Sequence, residues 1–377
     1  MQYRRFGKTD LSVSIFSLGT MRCLSSPDIF EQTVRQGISS GINHLETASS
    51  YGKSEDFLGE CLQKNLPIPR EQLIITTKLT PTDNGTQFWE QLEQSLARLQ
   101  LDYIDCLAIH GINTNRHLSW VTDNNGCRPA LEKALANGKI RHLGFSTHGS
   151  LDLIMEAINS DLFEFVNLHY NFFFQRNAPA IQLAKEKDMG IFIISPADKG
   201  GKLYTPPEKL KQLCHPFSPL ALNYRFLLSN PFITTLSVGS ANPEELVAPL
   251  QICNQDHPLT FQEKAVLQQL EKQMDLSLAG DRCRQCYQCL PCPEDINIPE
   301  VLRLRNLTIA YDMQTFGQYR YQMLENAGHW FPGRNGDRCS NCGDCLPRCP
   351  EKLDISRLLK DTHDRLKGPS RRRLWER

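Results

Sequence analysis

The sequence predicts an α/β chain built as a (β/α)8 barrel of the TIM type, followed by a smaller α-helical domain. Three observations predict it. Eight short apolar runs alternate with stretches of helical period between residues 16 and 239, no G-x-G-x-x-G turn follows any of them, and two cysteine-dense stretches appear beyond residue 280. Strands that read as continuous apolar runs are buried on both faces, which a closed parallel barrel of βα units provides. An open doubly wound sheet would carry the glycine-rich dinucleotide turn. At 377 residues the chain also exceeds the usual size of one core, so it divides into residues 1–279, the barrel, and 280–377, the appended domain.

The elements follow in order. YRRFGKTDLSVSI reads as a hairpin ahead of the barrel. The barrel runs are FSLGT (16–20), HLETA (44–48), LIITTK (73–78), CLAIH (106–110), HLGFST (142–147), FVNLHYN (165–171), GIFIISP (190–196) and TLSVG (235–239). Between them, WEQLEQSLARLQL and SLDLIMEAINSD space apolar residues three and four apart, the pattern of helices that cover a sheet. Thr260 followed by Glu263 is a capping box, and Ala279-Gly280 ends the helix it starts. Residues 299–328 read as a helical pair separating the two cysteine stretches.

Lysine plus arginine and aspartate plus glutamate each total 42, leaving no net field to attract nucleic acid or an anionic membrane surface. The segment MQYRRFGKTD has no signal-peptide core, and no run of about 18 apolar residues follows it. A cytoplasmic protein with no nucleic-acid and no membrane partner is expected. The basic tail, Arg371, Arg372, Arg373 and Arg377, is read as a solvated terminus. In a reducing compartment, closely spaced thiols bind metal more often than they pair. The scattered Cys23, Cys61, Cys106, Cys127, Cys214 and Cys253 read mostly as small core residues.

Eight of the 14 cysteines lie in CRQCYQCLPCP (283–293) and CSNCGDCLPRCP (339–350). The second is C-x2-C-x2-C-x3-C-P, the bacterial ferredoxin run in which three thiolates hold one [4Fe–4S] cluster and the fourth crosses to the other. The first is one residue shorter before its last cysteine. Crossed ligation predicts one cluster on Cys283, Cys286, Cys289 and Cys349, and a second on Cys339, Cys342, Cys345 and Cys292. Zinc is the alternative, since C-x2-C pairs also suit tetrahedral sulfur sites. The spacing leaves open whether the clusters relay electrons or staple a domain with a small core.

Active sites in such barrels lie at the C-terminal ends of the strands. The polar residues there are Glu46, Lys78, His110, Ser146, Asn167 and Ser195, with Tyr51 five residues beyond Glu46. Singly, a buried histidine, a snorkelling lysine or a packed tyrosine is ordinary. Together they suit reduction of a carbonyl by hydride. Tyr51 protonates the nascent alkoxide, Lys78 lowers the tyrosine pKa, Glu46 holds the lysine, and His110 orients the carbonyl.

The stretches YRRFGKTDLSVSIFSLGTM, GINHLETASSYGKSEDFLGE, IITTK, LDYIDCLAIHGIN, GKIRHLGFSTH and SVGSANPEEL resemble the aldo-keto reductase family over nearly all of the first 260 residues. With its ferredoxin-like tail, the chain resembles the iron–sulfur subgroup of that family. The resemblance implies a barrel carrying a ferredoxin-like domain with two [4Fe–4S] clusters, a small-molecule carbonyl substrate, and NADPH or NADH. Carried over by position, the family's tyrosine falls on Tyr51, its lysine on Lys78, its histidine on His110, and its aspartate on Glu46, whose arm is one methylene longer.

Relatives hold the nicotinamide with a serine–asparagine pair, a glutamine and an aromatic ring, and the adenosine phosphate with cations and a Glu-Asn pair. The matching positions here are Ser146-Thr147, Asn167, Ile194, then Gly239 and Glu245, and Ala248-Pro249. Ser146 and Asn167 keep hydrogen bonds for a carboxamide, and Ser195 ends the next strand. Ser240 and Asn242 begin a helix N-terminus (residues 240–243) whose amides suit an anion. Glu245 is expected to repel a 2′-phosphate, leaving Lys199, Lys202 and Arg225 as outside cations. The implied nicotinamide preference is weak or altered.

Hydride transfer moves two electrons, and each cluster passes one. Three readings follow. The first is a nicotinamide-dependent carbonyl reductase with structural or modulatory clusters. The second is a cluster-driven oxidoreductase fed by a ferredoxin-like electron donor, with little nicotinamide use. The third is a redox-sensing binding protein on a degenerate barrel. The loop GINTNRHLSWVTDNNG and the residues Phe172, Phe173 and Phe174 border the mouth and imply apolar walls, without naming a substrate.

Overall fold

All eight apolar runs become parallel strands of one closed barrel in the computed structural model, which describes residues 1–368. An antiparallel hairpin, β1 (Tyr3–Arg5) and β2 (Ser12–Ser14), comes first. The barrel strands are β3 (Phe16–Gly19), β4 (His44–Glu46), β5 (Ile74–Leu79), β6 (Ile104–His110), β7 (Ile140–Ser146), β8 (Phe165–Leu168), β9 (Gly190–Ile193) and β10 (Thr235–Val238). They follow chain order around the barrel, and β10 closes onto β3 with Leu236 beside Phe16. Apart from Arg141 and His142 in β7, every barrel-strand residue is buried, which is why the runs read as apolar throughout. β8 stops at Leu168, short of the run's end, because Asn171 and Phe174 exchange backbone hydrogen bonds in a turn.

The hairpin seals the N-terminal end of the barrel. Phe6 is fully buried, its ring 5.2 Å from Phe165, in a cluster with Val13, Ile74, Cys106, Ala108 and Phe192. Two glycines allow this approach. Gly7 has φ +55°, and a Cβ there would lie 2.3 Å from Gly190 N; a Cβ on Gly190 would lie 2.3 Å from the Phe6 ring. The opposite end, where the polar residues emerge, stays available for a site.

Packing divides the described chain into two compact units, Met1–Gly200 with Asn223–Pro258, and Gly201–Leu222 with the residues from Leu259 onward. The helix Phe261–Leu278 therefore groups with the cysteine-bearing unit, ahead of the sequence division near 280. Its capping box is formed: Glu263 N donates to Thr260 Oγ1 at 3.2 Å, and Thr260 N to Glu263 Oε2 at 2.7 Å. The expected helical pair is present as Ile298–Tyr311 and Gln314–Tyr321. The first of these is buried at every residue but Ile309. Its charges are paired, Arg303 with Glu300 at 2.8 Å and Arg305 with Asp361 at 2.7 Å, as burial of an ion requires. No helix among the described residues is long and apolar enough to cross a membrane. The tail arginines Arg371, Arg372, Arg373 and Arg377 lie outside the described residues.

Candidate active site and cluster sites

Parallel register sets the catalytic candidates side by side. On β4, His44 and Glu46 share the inward face, as do Thr76 and Lys78 on β5. The lower pair bonds through His44 Nε2 and Thr76 Oγ1 at 2.7 Å. The upper pair is an ion pair, with Lys78 Nζ against the Glu46 carboxylate and both side chains buried. Lys78 Nζ also donates to the Thr47 carbonyl at 3.0 Å and to the Tyr51 hydroxyl at 3.2 Å. Tyr51 is delivered by the turn after β4, where its N–H donates to Ala48 O at 3.0 Å. The His110 ring stands edge-on to Tyr51 at 5.7 Å, with Ser50 Oγ 3.3 Å from its Nδ1. The longer Glu46 arm fits because Gly19 leaves room: a Cβ there would lie 3.2 Å from Glu46 Oε2.

The electrostatics correct one expectation. Desolvation by burial pushes the Tyr51 hydroxyl up to about 12, where a lowered value was expected. Tyr51 therefore keeps its proton at neutral pH. Burial, then the charge of Lys199, pull the Lys78 amine well below its ordinary value, against the contact with Glu46.

Ser146 pairs in register with His110 and with Asn167, so the three strand ends meet. The Ser146 hydroxyl accepts from Gly111 N at 3.1 Å. Asn167 is fully buried, yet neither its Oδ1 nor its Nδ2 has a partner, and the same holds for the Ser240 hydroxyl. An orphaned buried polar group costs about 1–3 kcal/mol, which a hydrogen-bonding ligand at these atoms would offset. Asn167 offers one donor and one acceptor, the pair that a nicotinamide carboxamide needs. Ser195 is half-buried at φ +50°, and its carbonyl accepts from Lys199 N at 3.0 Å.

The stretch after β10 departs from expectation. Asn242 is turned to the chain's own backbone: its Oδ1 accepts from Glu245 N at 3.1 Å and caps the 3-10 turn Pro243–Leu246. The amide of Ala241 is likewise taken, by Glu245 Oε2 at 3.0 Å. The turn thus satisfies its start with its own carboxylate. Glu245 is also neutralised, since Arg22 reaches it through two nitrogens at 2.7 and 3.2 Å. Sequence reasoning missed Arg22; its place three residues after Gly19, at the end of a barrel strand, was the available signal. Of the outside cations, Arg225 is buried and holds the His257 carbonyl at 3.0 Å, and Lys202 lies over the Tyr319 ring at 4.2 Å. Lys199 joins His148 and His169 at the rim, a grouping the sequence did not signal.

In the cysteine-bearing unit, Cys283, Cys286, Cys289 and Cys349 line one cavity together with Tyr287, Ile298 and Leu302. Cys283 feels the charges of Cys286 and Cys349, and Cys345 those of Cys339, Cys292 and Cys342. Arg348 ties the motifs by donating to the Pro291 carbonyl at 3.0 Å. Asn306 Nδ2 donates to the Cys283 carbonyl at 2.8 Å. Burial pushes the Cys283 thiol up to about 11 and Cys289 to about 12, so these sulfurs need nearby metal charge to ionise. Of the scattered cysteines, only Cys253 is not buried.

Barrel, rim residues and cysteine quartets together define an oxidoreductase with an iron–sulfur domain. The chain belongs to the aldo/keto reductase family, whose profile matches residues 16–272, and a 4Fe-4S dicluster domain matches residues 282–354. An oxidoreductase of Bacillus subtilis, YqkF, whose activity is uncharacterised, is 25% identical over 72% of this chain and 97% of its own length. L-galactose dehydrogenase of Arabidopsis thaliana is 30% identical over 58% of this chain and 71% of its own. The holo form of the aldo-keto reductase AKR11C1 from Bacillus halodurans shares the barrel with a TM-score of 0.62 and 24% identity, over 71% of this chain and 95% of that one. An aldo-keto reductase from Klebsiella pneumoniae in complex with NADPH shares it at 0.59 and 20% identity, over 71% and 94%.

Proposed function

We propose that the protein is a cytoplasmic enzyme that reduces a small carbonyl substrate with a nicotinamide cofactor, and that its appended domain holds two [4Fe–4S] clusters. One observation carries the reading: Lys78 Nζ lies between the Glu46 carboxylate and the Tyr51 hydroxyl, next to His110, at the barrel rim. When bound, the nicotinamide supplies a hydride to the carbonyl carbon and the clusters supply or accept single electrons.

Tyr51 gives its proton to the carbonyl oxygen as that oxygen becomes an alkoxide, and regains one from solvent afterwards. Lys78 stabilises the transient phenolate, and Glu46 keeps the lysine charged in a buried place. His110 orients the carbonyl oxygen toward Tyr51. Asn167, with Ser146 beside it, takes the carboxamide, and Ser240 faces the rest of the nucleotide; their unpartnered atoms support this assignment.

Cys283, Cys286, Cys289 and Cys349 would hold one cluster, and Cys339, Cys342, Cys345 and Cys292 the other. We take residues 1–279 as the reductase portion and 280–377 as the cluster portion. Anaerobic titration with NADPH and NADH tests the reading, following nicotinamide fluorescence and cluster absorbance together. Binding followed by carbonyl turnover supports it. Clusters that bleach only with an external ferredoxin-like donor, without nucleotide binding, would sink it.

A further inference from the structure

The two cysteine motifs run on in step. CPEDINIPE (292–300) and CPEKLDISR (349–357) align position by position without a gap, and the backbone repeats with them. Asp295 and Lys352 both take left-handed backbone, at φ +55° and +52°. Their N–H groups donate to the Cys292 and Cys349 carbonyls at 2.9 and 3.1 Å. Asn297 and Asp354 then cap the helices Ile298–Tyr311 and Ile355–Leu366. At the second residue of each helix the copies part, with Pro299 in one and Ser356 in the other. Pro299 lines the cavity of Cys283, Cys286, Cys289 and Cys349, among Ile298, Leu302, Leu353 and Ile355. It has neither a side-chain donor nor an amide proton. Arg284 and Glu351 line the same cavity as an ion pair at 3.6 Å, adding no net charge. Ser356 stands with its Oγ 3.7 Å from Cys339 Sγ, and the exposed Asn341 has its Oδ1 3.9 Å from the same sulfur. The turn ahead of Cys339 fixes this approach. Gly336 N donates to the Tyr321 hydroxyl at 2.8 Å, and a Cβ at Gly336 would lie 2.7 Å from Leu359 O on the helix that carries Ser356.

We propose that the Ser356 hydroxyl donates to the Cys339 sulfur and sets the second cluster, that of Cys339, Cys342, Cys345 and Cys292, above the first in reduction potential, so that it takes the first electron entering the domain. The inference goes beyond carbonyl reduction and rests only on the cluster assignment. A one-electron donor adds one electron to one cluster; no bond forms or breaks, and no proton moves. Part of the added negative charge falls on the ligand sulfurs, where a hydroxyl donor stabilises it. The cysteine thiolate has lone pairs to accept this bond and no proton of its own, so the hydroxyl is the donor. On the matching face of the first cavity, Pro299 and the aliphatic Ile298, Leu302, Leu353 and Ile355 offer no such donor. Apolar surroundings there disfavour the more negative, reduced state.

Anaerobic redox titration of the iron–sulfur-loaded full chain with dithionite, followed by electron paramagnetic resonance and with iron and sulfide assayed alongside, reads both potentials. The wild type should show two separated midpoints. Ser356→Ala should lower the upper one, cutting the ratio of reduced to oxidised cluster at a fixed potential about 5-fold (about 40 mV), and leave the lower in place. Ser356→Thr keeps the hydroxyl and should hold the wild-type value. Pro299→Ser places a hydroxyl at the matching position of the first site and should raise the lower midpoint. Unchanged midpoints in Ser356→Ala overturn the proposal, as does a shift confined to the lower midpoint. Loss of iron from Ser356→Ala, together with unmoved midpoints in Pro299→Ser, overturns it as well, since Ser356 would then hold the cluster in place without tuning it. A wild type that takes up no iron and sulfide removes the cluster assignment and this inference with it, whereas the other failures leave that assignment standing.

Discussion

Arg22 grips Glu245 through two guanidinium nitrogens, at 2.7 and 3.2 Å, beside the 3-10 turn Pro243–Leu246 that the resemblance assigns to an adenosine phosphate. Glu245 Oε2 also accepts from Ala241 N. A phosphate arriving there competes with a carboxylate for one cation and one amide. Glu245→Gln should release both and tighten NADPH about 10-fold while leaving NADH nearly unchanged, as a fluorescence titration will show. Equal gains for both nucleotides would place the phosphate elsewhere.

The hydroxyl of Tyr51 accepts a hydrogen bond from Lys78 Nζ at 3.2 Å. Tyr51→Phe should lower kcat for carbonyl reduction by about 10²- to 10⁴-fold, the usual share of a positioned acid. Iron and sulfide content should not change. Loss of iron in this variant would mean that the fold, and not the chemistry, was damaged.

Glu46 and Lys78 are a buried ion pair, and removing one partner leaves the other charge without compensation. Glu46→Ala should cost about 3–5 kcal/mol of stability in chemical denaturation. A Glu46→Leu, Lys78→Met double variant should lose less than the single, because no charge is stranded.

His44, fully buried between Ser17 and Thr76, is held down to about 3 by burial and then by the charge of Lys78. Its folded value lies below the unfolded 6.5, so its contribution is complete above pH 6.5 and is lost as pH falls toward 3. Between pH 6.5 and 5 the loss should reach roughly 2 kcal/mol. Denaturation midpoints at the two pH values measure it, and His44→Gln should flatten the slope. An unchanged slope would assign the acid sensitivity to other groups.

Cys283, Cys286, Cys289 and Cys349 line one cavity, which supports the proposed crossing of Cys349 to the first motif. Anaerobic Cys349→Ser should lose about half the iron, the cluster of the first motif, while the second keeps its spectrum. Retention of all iron, or replacement of iron by zinc, would end the crossed assignment.

Local pattern carried much of the fold and of the site. Eight apolar runs fixed the strands because a strand buried on both faces needs apolar residues at nearly every position. Glu46, Lys78 and His110 were legible because they end such runs, and the eight clustered cysteines because thiolate spacing is set by local turns. The sequence alone could not decide what distant groups do to one another. Asn242 became a backbone cap, the amide of Ala241 was claimed by Glu245, and Arg22 met that carboxylate 223 residues away in the chain. The triad of His148, His169 and Lys199 likewise exists only because β7, β8 and β9 stand side by side in the closed barrel. Burial reversed the expected shift of Tyr51, since desolvation depends on everything packed around a group and not on its neighbours in sequence.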